Sequence, residues 1–256
     1  MNLGATAIGT GINAHPDYAA IVCHKLVEIS GIPVLTAPNL IEATQDCGSF
    51  VQLSGVLKRV AVKLSKVCND LRLLSSGPRA GFGEINLPPR QAGSSIMPGK
   101  VNPVIPEVVN QIAFEVIGND TTVTFAAEAG QLQLNAFEPI IAHSLFKSVL
   151  HLTNACRALA SHCVEGITAN RDALRESVAR SIGIVTALNP YIGYANATEI
   201  AAAAHASGRG VAEIVLERGL MSAAQLAEVL RPEVLTRPQA IPVAPAIPPT
   251  APARAA

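Results

Sequence analysis

A long hydrophobic stripe is the feature that most constrains this chain. Apolar side chains recur at alternating steps of three and four residues for more than three heptads. The members are Phe50, Leu53, Leu57, Val60, Leu64, Val67, Leu71 and Leu74. A stripe with this period lies along one face of an α-helix and packs against nearly parallel neighbours. The pattern predicts one long helix from about Leu40 to Leu74, ended by Gly77 and Pro78.

Two further segments repeat apolar side chains at helical spacing. The second stripe consists of Ile141, Leu145, Val149, Leu152, Cys156, Leu159 and Cys163. It predicts a long helix over 137–164, and the apolar positions that follow Pro103 predict another over 103–129. A shorter helix is predicted over 18–29, closed by Gly31. Together these patterns predict an all-α fold built on a bundle of long helices.

The periodicity changes after Gly166, where glycines separate shorter units. Short helices are predicted over 170–181, 197–206, 211–217 and 222–230. Ser222 and Gln225 have the spacing of a capping box at the start of the last one. Six prolines follow Thr236 without a helical or strand period, which is typical of disorder. The predicted domains are therefore a helical bundle over 1–165, a small helical domain over 166–235 and a disordered tail over 236–256.

Composition restricts the partners of this chain. Lys plus Arg and Asp plus Glu number 19 each, so a formal net charge of zero favours neither nucleic acid nor an anionic membrane as partner. No stretch approaches the roughly 18 uninterrupted apolar residues of a membrane-spanning helix. The first residues also lack the basic region and apolar core of a signal peptide. These observations predict a cytoplasmic protein with no membrane partner.

Several reactive residue types receive a structural interpretation. The five cysteines lack metal-ligand spacing and are predicted to be buried free thiols rather than disulfides or a zinc site. The six histidines are interpreted as helix-surface or packed residues rather than bases. Asn119 and Asp120 interrupt an apolar helix face and are interpreted as polar groups hydrogen-bonded within the bundle.

One segment between two predicted helices is dense in glycine, serine and proline. It runs Gly-Ser-Ser-Ile-Met-Pro-Gly-Lys-Val-Asn-Pro over residues 93–103 and is called the signature segment below. Lys100 and Asn102 place a cation and an amide donor just before a helix N-terminus, which carries partial positive charge. These parts suit a carboxylate ligand, although an ordinary surface connection has a similar composition.

The signature segment resembles the signature of the aspartase/fumarase superfamily, and the resemblance extends over nearly all of residues 2–235. The stretches 73–81, 118–123, 126–135 and 181–186 resemble the aspartase branch more than the fumarase branch. Arg231-Pro232-Glu233 is more fumarase-like, and the proline-rich tail matches neither. The resemblance implies elimination of ammonia from L-aspartate to give fumarate, without a metal or an organic cofactor.

The resemblance also implies roles for individual residues. Ser94 would be the general base, acting as an alkoxide, and Ser95 a second donor in the segment. Lys100 and Asn102 would bind the substrate carboxylate and the aci-carboxylate intermediate that forms from it. Glu107 would be a support residue, because it resembles a family carboxylate whose histidine partner is not in this chain.

The family builds each active site from three segments that come from different subunits of a homotetramer, and this chain carries one of them. Its activity would therefore need a homotetramer or a complementing N-terminal half, and the chain alone is expected to be inactive. Two alternatives remain open from the sequence. One is a class II fumarase-type hydratase, and the other is a truncated homologue without catalytic activity.

Overall fold

The computed structural model describes residues 1–91 and 96–238, and these are mainly helical. The helices are α1 (Tyr18–Ser30), α2 (Leu40–Ala43), α3 (Gly48–Leu74), α4 (Val104–Glu128), α5 (Glu138–His162), α6 (Arg171–Arg180), α7 (Asn189–Ile192), α8 (Tyr194–Ser207), α9 (Val211–Glu217), α10 (Ala223–Val229) and α11 (Pro232–Leu235). Two 3-10 helices, Val164–Gly166 and Ile182–Leu188, lie between them. The strands β1 (Ile85–Asn86) and β2 (Thr168–Ala169) form an antiparallel pair. The prediction of an all-α fold is confirmed.

The three long helices form a bundle with α4 in the middle. Helix α4 packs along both α3 and α5, whereas α3 and α5 contact each other much less. Val109, Val116 and Val123 of α4 lie seven residues apart, and each is only 1% exposed. This spacing keeps one face of α4 in the core, as the heptad period requires. The predicted helices over 103–129 and 137–164 are therefore confirmed to within two residues.

The prediction of a single helix from Leu40 to Leu74 is wrong at the start of that helix. The structure has a short α2 and a separate α3, with residues 44–47 between them. The Asn39 side chain accepts hydrogen bonds from the backbone of α2, and the Asp46 carboxylate accepts one from Gly48 N at 3.1 Å. Short polar side chains that bind nearby backbone groups favour turns over helix continuation.

The heptad stripe of α3 is divided between two environments. Leu57, Leu64 and Leu71 are half-buried and pack against the core clusters of the bundle. Leu53, Val60 and Val67 are exposed in the same helix. Small residues, among them Ala61 and Cys68, fill the most buried positions and let α4 approach closely. Half of the stripe is therefore left outside the bundle.

The chain divides into two compact units, of which the first is Met1–Ala169 and the second begins at Asn170. The second unit has its own apolar core, which includes Leu188, Ile192, Ile200, Val211 and Val215. The predicted capping box is confirmed, because Ser222 and Gln225 exchange side-chain and backbone hydrogen bonds. The predicted domain limits stay a prediction, and the predicted tail lies outside the described residues from 239 onward.

The cysteine prediction needs one correction. All five thiols are free, and Cys47, Cys68 and Cys163 are buried as predicted. Cys156 is exposed although it belongs to the stripe of α5, and Cys23 is half-buried. Cys156 and Val149 face a groove beside α3 that the bundle does not fill. Within the described residues, no helix is long and apolar enough to cross a membrane.

Candidate functional site

The signature segment leads directly into α4. Ser94 and Ser95 lie outside the described residues, which resume at Ile96. Lys100 and Asn102 are half-buried, and Lys100 N donates to Met97 O at 3.3 Å in a turn. Gly99 has a φ of +83°, a left-handed conformation that favours glycine. Asn102 follows Lys100 by two residues, and the first residue of α4 follows Lys100 by four.

The first turn of α4 comes directly after Lys100 and Asn102 in the chain. Pro103 is the N-cap residue, and Glu107 N donates to Pro103 O at 3.1 Å. Glu107 is the acidic residue of the first turn and is half-buried. Among the described residues, no side-chain hydrogen bond or ion pair engages Lys100, Asn102 or Glu107. An ammonium, an amide and a helix N-terminus thus lie together and suit an anionic ligand.

The chain before the signature segment and the last residues of that segment both lie at the C-terminal end of α5. A narrow crevice there is lined by residues from before the segment, by its last two residues and by residues that follow it along the chain: Leu87, Pro88, Asn102, Pro103, Val104, Ile105, Pro106, His162 and Cys163. The strand pair adds a second link, because Asn86 Nδ2 donates to Thr168 Oγ1 at 3.1 Å. The chain that leads into the segment is therefore positioned by the end of α5, and the described end of the segment by the start of α4.

The polar residues inside the bundle are structural, as predicted. Asp120 is buried and accepts from Ser54 Oγ at 2.8 Å and from Lys58 Nζ at 2.5 Å. Asn119 Nδ2 donates to Ser148 Oγ at 3.0 Å. These bonds satisfy the buried polar groups, which would otherwise cost stability.

A charged cluster that sequence reasoning missed links α4 and α5. Glu115 accepts from Lys147 Nζ at 2.6 Å and lies 2.5 Å from His151 Nδ1. The hydrogen bonds from Lys147 and then His151 lower the pKa of Glu115 below its usual value. The four-residue spacing of Lys147 and His151 places both on one face of α5 and could be recognised in the sequence. Nothing in the sequence indicated that Glu115 of α4 is their partner. The cluster is a helix-to-helix ion pair, in keeping with the interpretation of the histidines as packed or surface residues.

The buried thiols are not candidates for chemistry. Burial, and next the nearby Cys163 thiol, raises the pKa of Cys68 to about 11. Burial also raises the pKa of Cys47 and of Cys163. The thiolate is the reactive form, so these groups are inert at neutral pH. Within the described residues, no group of three or more His, Cys, Asp or Glu side chains is placed to hold a metal ion.

Comparison with known families gives two matches along the chain. Residues 1–118 match the family model described as Lyase, and residues 184–237 match the model described as Fumarase C C-terminus. The first match contains the signature segment and the start of α4. The second falls within the second unit.

Individual relatives are similar over nearly the whole chain. The aspartate ammonia-lyase of Pseudomonas fluorescens is 63% identical over 243 residues, which are 95% of this chain and 51% of that protein. The aspartate ammonia-lyase of Escherichia coli K12 is 58% identical over 238 residues, which are 93% of this chain and 50% of that protein. The chain thus spans about half the length of the curated relatives it matches.

Solved structures agree with the fold. A fumarate lyase:delta crystallin from Brucella melitensis bound to cobalt has a TM-score of 0.88 and 55% identity, over 93% of this chain and 52% of that one. A class II fumarase from Schistosoma mansoni has a TM-score of 0.83 at 34% identity, over 91% of this chain and 52% of that one.

The fold of this chain is thus shared with solved lyases, and the chain belongs to the aspartase/fumarase superfamily. Within that superfamily it is 58–63% identical to aspartate ammonia-lyases and matches their C-terminal half.

Proposed function

We propose that this chain is part of an aspartate ammonia-lyase, which eliminates ammonia from L-aspartate to give fumarate. The observation that carries the proposal is an identity of 58–63% to aspartate ammonia-lyases along nearly all of the chain. Identity to the class II fumarase structure is 34%. This difference favours ammonia over water as the group that leaves.

The proposed reaction begins with removal of a proton from the carbon next to a carboxylate. Ser94 is the proposed base and acts as an alkoxide, with Ser95 as a neighbouring donor. A serine hydroxyl is weakly acidic, so its anion needs donors in a site from which water is excluded. Loss of the proton leaves an aci-carboxylate with two negative charges, and its collapse expels ammonia from the neighbouring carbon.

Lys100 and Asn102 are the proposed partners of that carboxylate. Both are half-buried, and neither side chain is engaged by another described residue. The N-terminus of α4 follows directly and adds partial positive charge. Because the intermediate carries more negative charge than the substrate, these groups bind it more tightly, which lowers the barrier. Glu107, one turn further on, is a proposed support residue.

The proposed working form is a homotetramer, or an assembly of this chain with a complementing N-terminal half, in the cytoplasm. Large apolar side chains remain exposed on all three long helices and support such an assembly. They include Leu53, Val60, Phe114, Phe125, Phe146 and Leu150. Exposed apolar surface of this extent marks sites of protein association.

The test uses a Ser94→Ala variant in an assembly formed with a separately expressed N-terminal half. Fumarate formation from L-aspartate should fall by about 10² to 10⁴, the usual effect of removing a general base. A Ser207→Ala variant serves as control, because Ser207 is an exposed helix residue outside the signature segment. Near-normal turnover by Ser94→Ala would make Ser94 the wrong base, and Ser95 would be tested next.

Assays of the same proteins with L-aspartate and with fumarate separate the proposal from its alternatives. The chain alone should have no useful activity, since positioning of substrate groups is worth roughly 7–11 kcal/mol of barrier. Activity that appears only on mixing would support an assembly of two halves. Hydration of fumarate to malate without ammonia release would favour the fumarase alternative. No activity in any assembly would favour a non-catalytic homologue.

A further inference from the structure

Four consecutive contacts fasten the chain just before the signature segment, and all of them lie in the first unit. Strand β1 pairs with β2, with Ile85 opposite Ala169. Leu87 is only 8% exposed and packs in a core cluster with Leu159 and Cys163 of the α5 end. These contacts place residues 85–87 beside the last turn of α5.

The next contact requires a glycine. A Cβ atom on Gly166 would lie 2.4 Å from Pro88 Cγ, a distance that real Cβ contacts do not reach. Pro88 therefore sits directly on the backbone that leaves α5. This close approach fixes the direction in which the chain continues toward Arg90.

Arg90 makes the last contact before the segment. Its Nε donates to His162 O at 2.7 Å, and its Nη2 donates to Ser161 O at 3.2 Å. These carbonyls end α5, where a helix carries partial negative charge and lacks backbone partners. The guanidinium fork can satisfy both oxygens at once, which a lysine ammonium cannot do with the same geometry.

A second observation places the Arg90 charge at this point. Burial raises the pKa of the Cys163 thiol, and the positive charge of Arg90 opposes part of that rise. Cys163 also lines the crevice where Pro88, before the signature segment, and Pro103, its last residue, come together. Arg90 contacts His162, which lines the same crevice.

We propose that Arg90 is a positioning residue that holds the chain just before the signature segment against the last carbonyls of α5. The proposal rests on the proposed function, because its catalytic consequence concerns Ser94. Ser94 is four residues from Arg90, whereas Lys100 and Asn102 are held from the other side by the start of α4. Loss of the Arg90 contact should therefore disturb proton removal more than substrate binding.

The first arm of the test does not require the chain to be enzymatically active. Hydrogen exchange is measured on the 256-residue chain and its Arg90→Ala, Arg90→Lys and Arg180→Ala variants. Arg180 is an exposed arginine of α6 that pairs only with Glu176 among the described residues. Arg90→Ala should speed exchange about tenfold at residues 85–91 and 96–102, with Arg90→Lys in between and the centres of α4 and α5 unchanged. Unchanged exchange at 85–102 would overturn the proposal.

The second arm measures the reconstituted assembly with L-aspartate deuterated at C3. Arg90→Ala should lower kcat about tenfold, with KM within about twofold, and should raise the isotope effect on kcat. Mere loss of folded enzyme would lower kcat without changing the isotope effect, and that result would overturn the positioning role. If the wild-type assembly is inactive, the proposed function fails, and the exchange arm still decides whether Arg90 holds the chain before the segment.

Discussion

In the bundle of α3, α4 and α5, buried positions include hydroxyls, amides and a carboxylate, whereas the described core of the second unit is apolar. Seven buried polar residues are present among the described residues, and all belong to the first unit: Ser54, Ser65, Asn110, Asp120, Asn135, Ser144 and Ser148. The second unit instead forms one continuous apolar cluster around Ile200 and Val215. The bundle thus gains specificity from hydrogen bonds, while the second unit depends on apolar burial.

Exposed large apolar side chains are also distributed unequally between the two units. Among the described residues of the second unit, only Val178, Tyr194 and Leu216 are large and exposed, and every other such side chain is in the first unit. A helix bundle gains stability by covering its apolar stripes. The second unit therefore completes its own core, whereas the bundle leaves much of its apolar surface exposed.

The largest expected effect concerns thiol labelling at the uncovered side of the bundle. Cys156 should react with a maleimide at pH 8 on the order of 10³ times faster than Cys68, because Cys68 reacts only from an unfolded fraction of about 10⁻³ or less. Cys156→Ser and Cys23→Ser variants, read by mass spectrometry, assign the fast sites. Assembly with a complementing half should slow labelling of Cys156 about tenfold or more, since a covered thiol is shielded from reagent.

Equal labelling before and after assembly would contradict this prediction. It would mean that the groove lined by Leu57, Val60, Val149 and Leu152 stays open when the bundle is complete. The surface around α4 would then be the part of the bundle that another chain covers.

The next effect concerns the apolar core of the second unit. Ile200→Ala removes a fully buried side chain and should lower the free energy of unfolding by about 2–5 kcal/mol. The matched control is Leu216→Ala, at a residue 44% exposed, which should cost less than about 1 kcal/mol. Hydrogen exchange should quicken in α8 and α9 and stay unchanged in α3–α5. Equal quickening of both units would show that their cores are not energetically separate.

A smaller effect is expected from the polar core of the bundle. Asp120→Ala removes the acceptor of the buried Ser54 hydroxyl and the partner of Lys58, and should cost about 1–3 kcal/mol in urea unfolding. Asp70→Ala breaks a comparable pair with Lys66 that is exposed to solvent, and should cost less than about 1 kcal/mol. If the two substitutions cost the same, the buried network adds nothing beyond a surface ion pair.

Much of this fold could be predicted from spacing alone. The limits of α4, α5, α9 and α10 follow from apolar periodicity and capping residues, which are local signals. The break before α3 was missed because Asn39 and Asp46 act through single hydrogen bonds that no period reveals. The exposure of Cys156 was missed because a stripe shows which face is apolar, but not whether something covers it.

The candidate site shows the same limit. The signature segment was recognisable from its residues, and the approach of Lys100 and Asn102 to a helix N-terminus followed from sequence order. Arg90 was not recognisable, because its partners are backbone carbonyls more than seventy residues away. Backbone acceptors carry no signal in a sequence, so contacts of this kind need the folded structure.

The smallest expected effect is a pH dependence of the bundle. Glu115 has a lowered pKa in the folded chain, because Lys147 and His151 donate hydrogen bonds to it. Its contribution to stability is therefore full above its usual pKa of about 4.5 and is lost as the pH falls below that value. Because the carboxylate is partly exposed, Glu115→Gln should cost less than about 1 kcal/mol at pH 7, and this difference should shrink as the pH falls below 4.5. Urea unfolding at several pH values measures it, with Glu165→Gln as control, since Glu165 has no ion-pair partner among the described residues. A gap that persists unchanged at low pH would show that Glu115 stabilises the helix pair by packing instead of charge. The bundle would then depend on apolar contact at this position, as the second unit does.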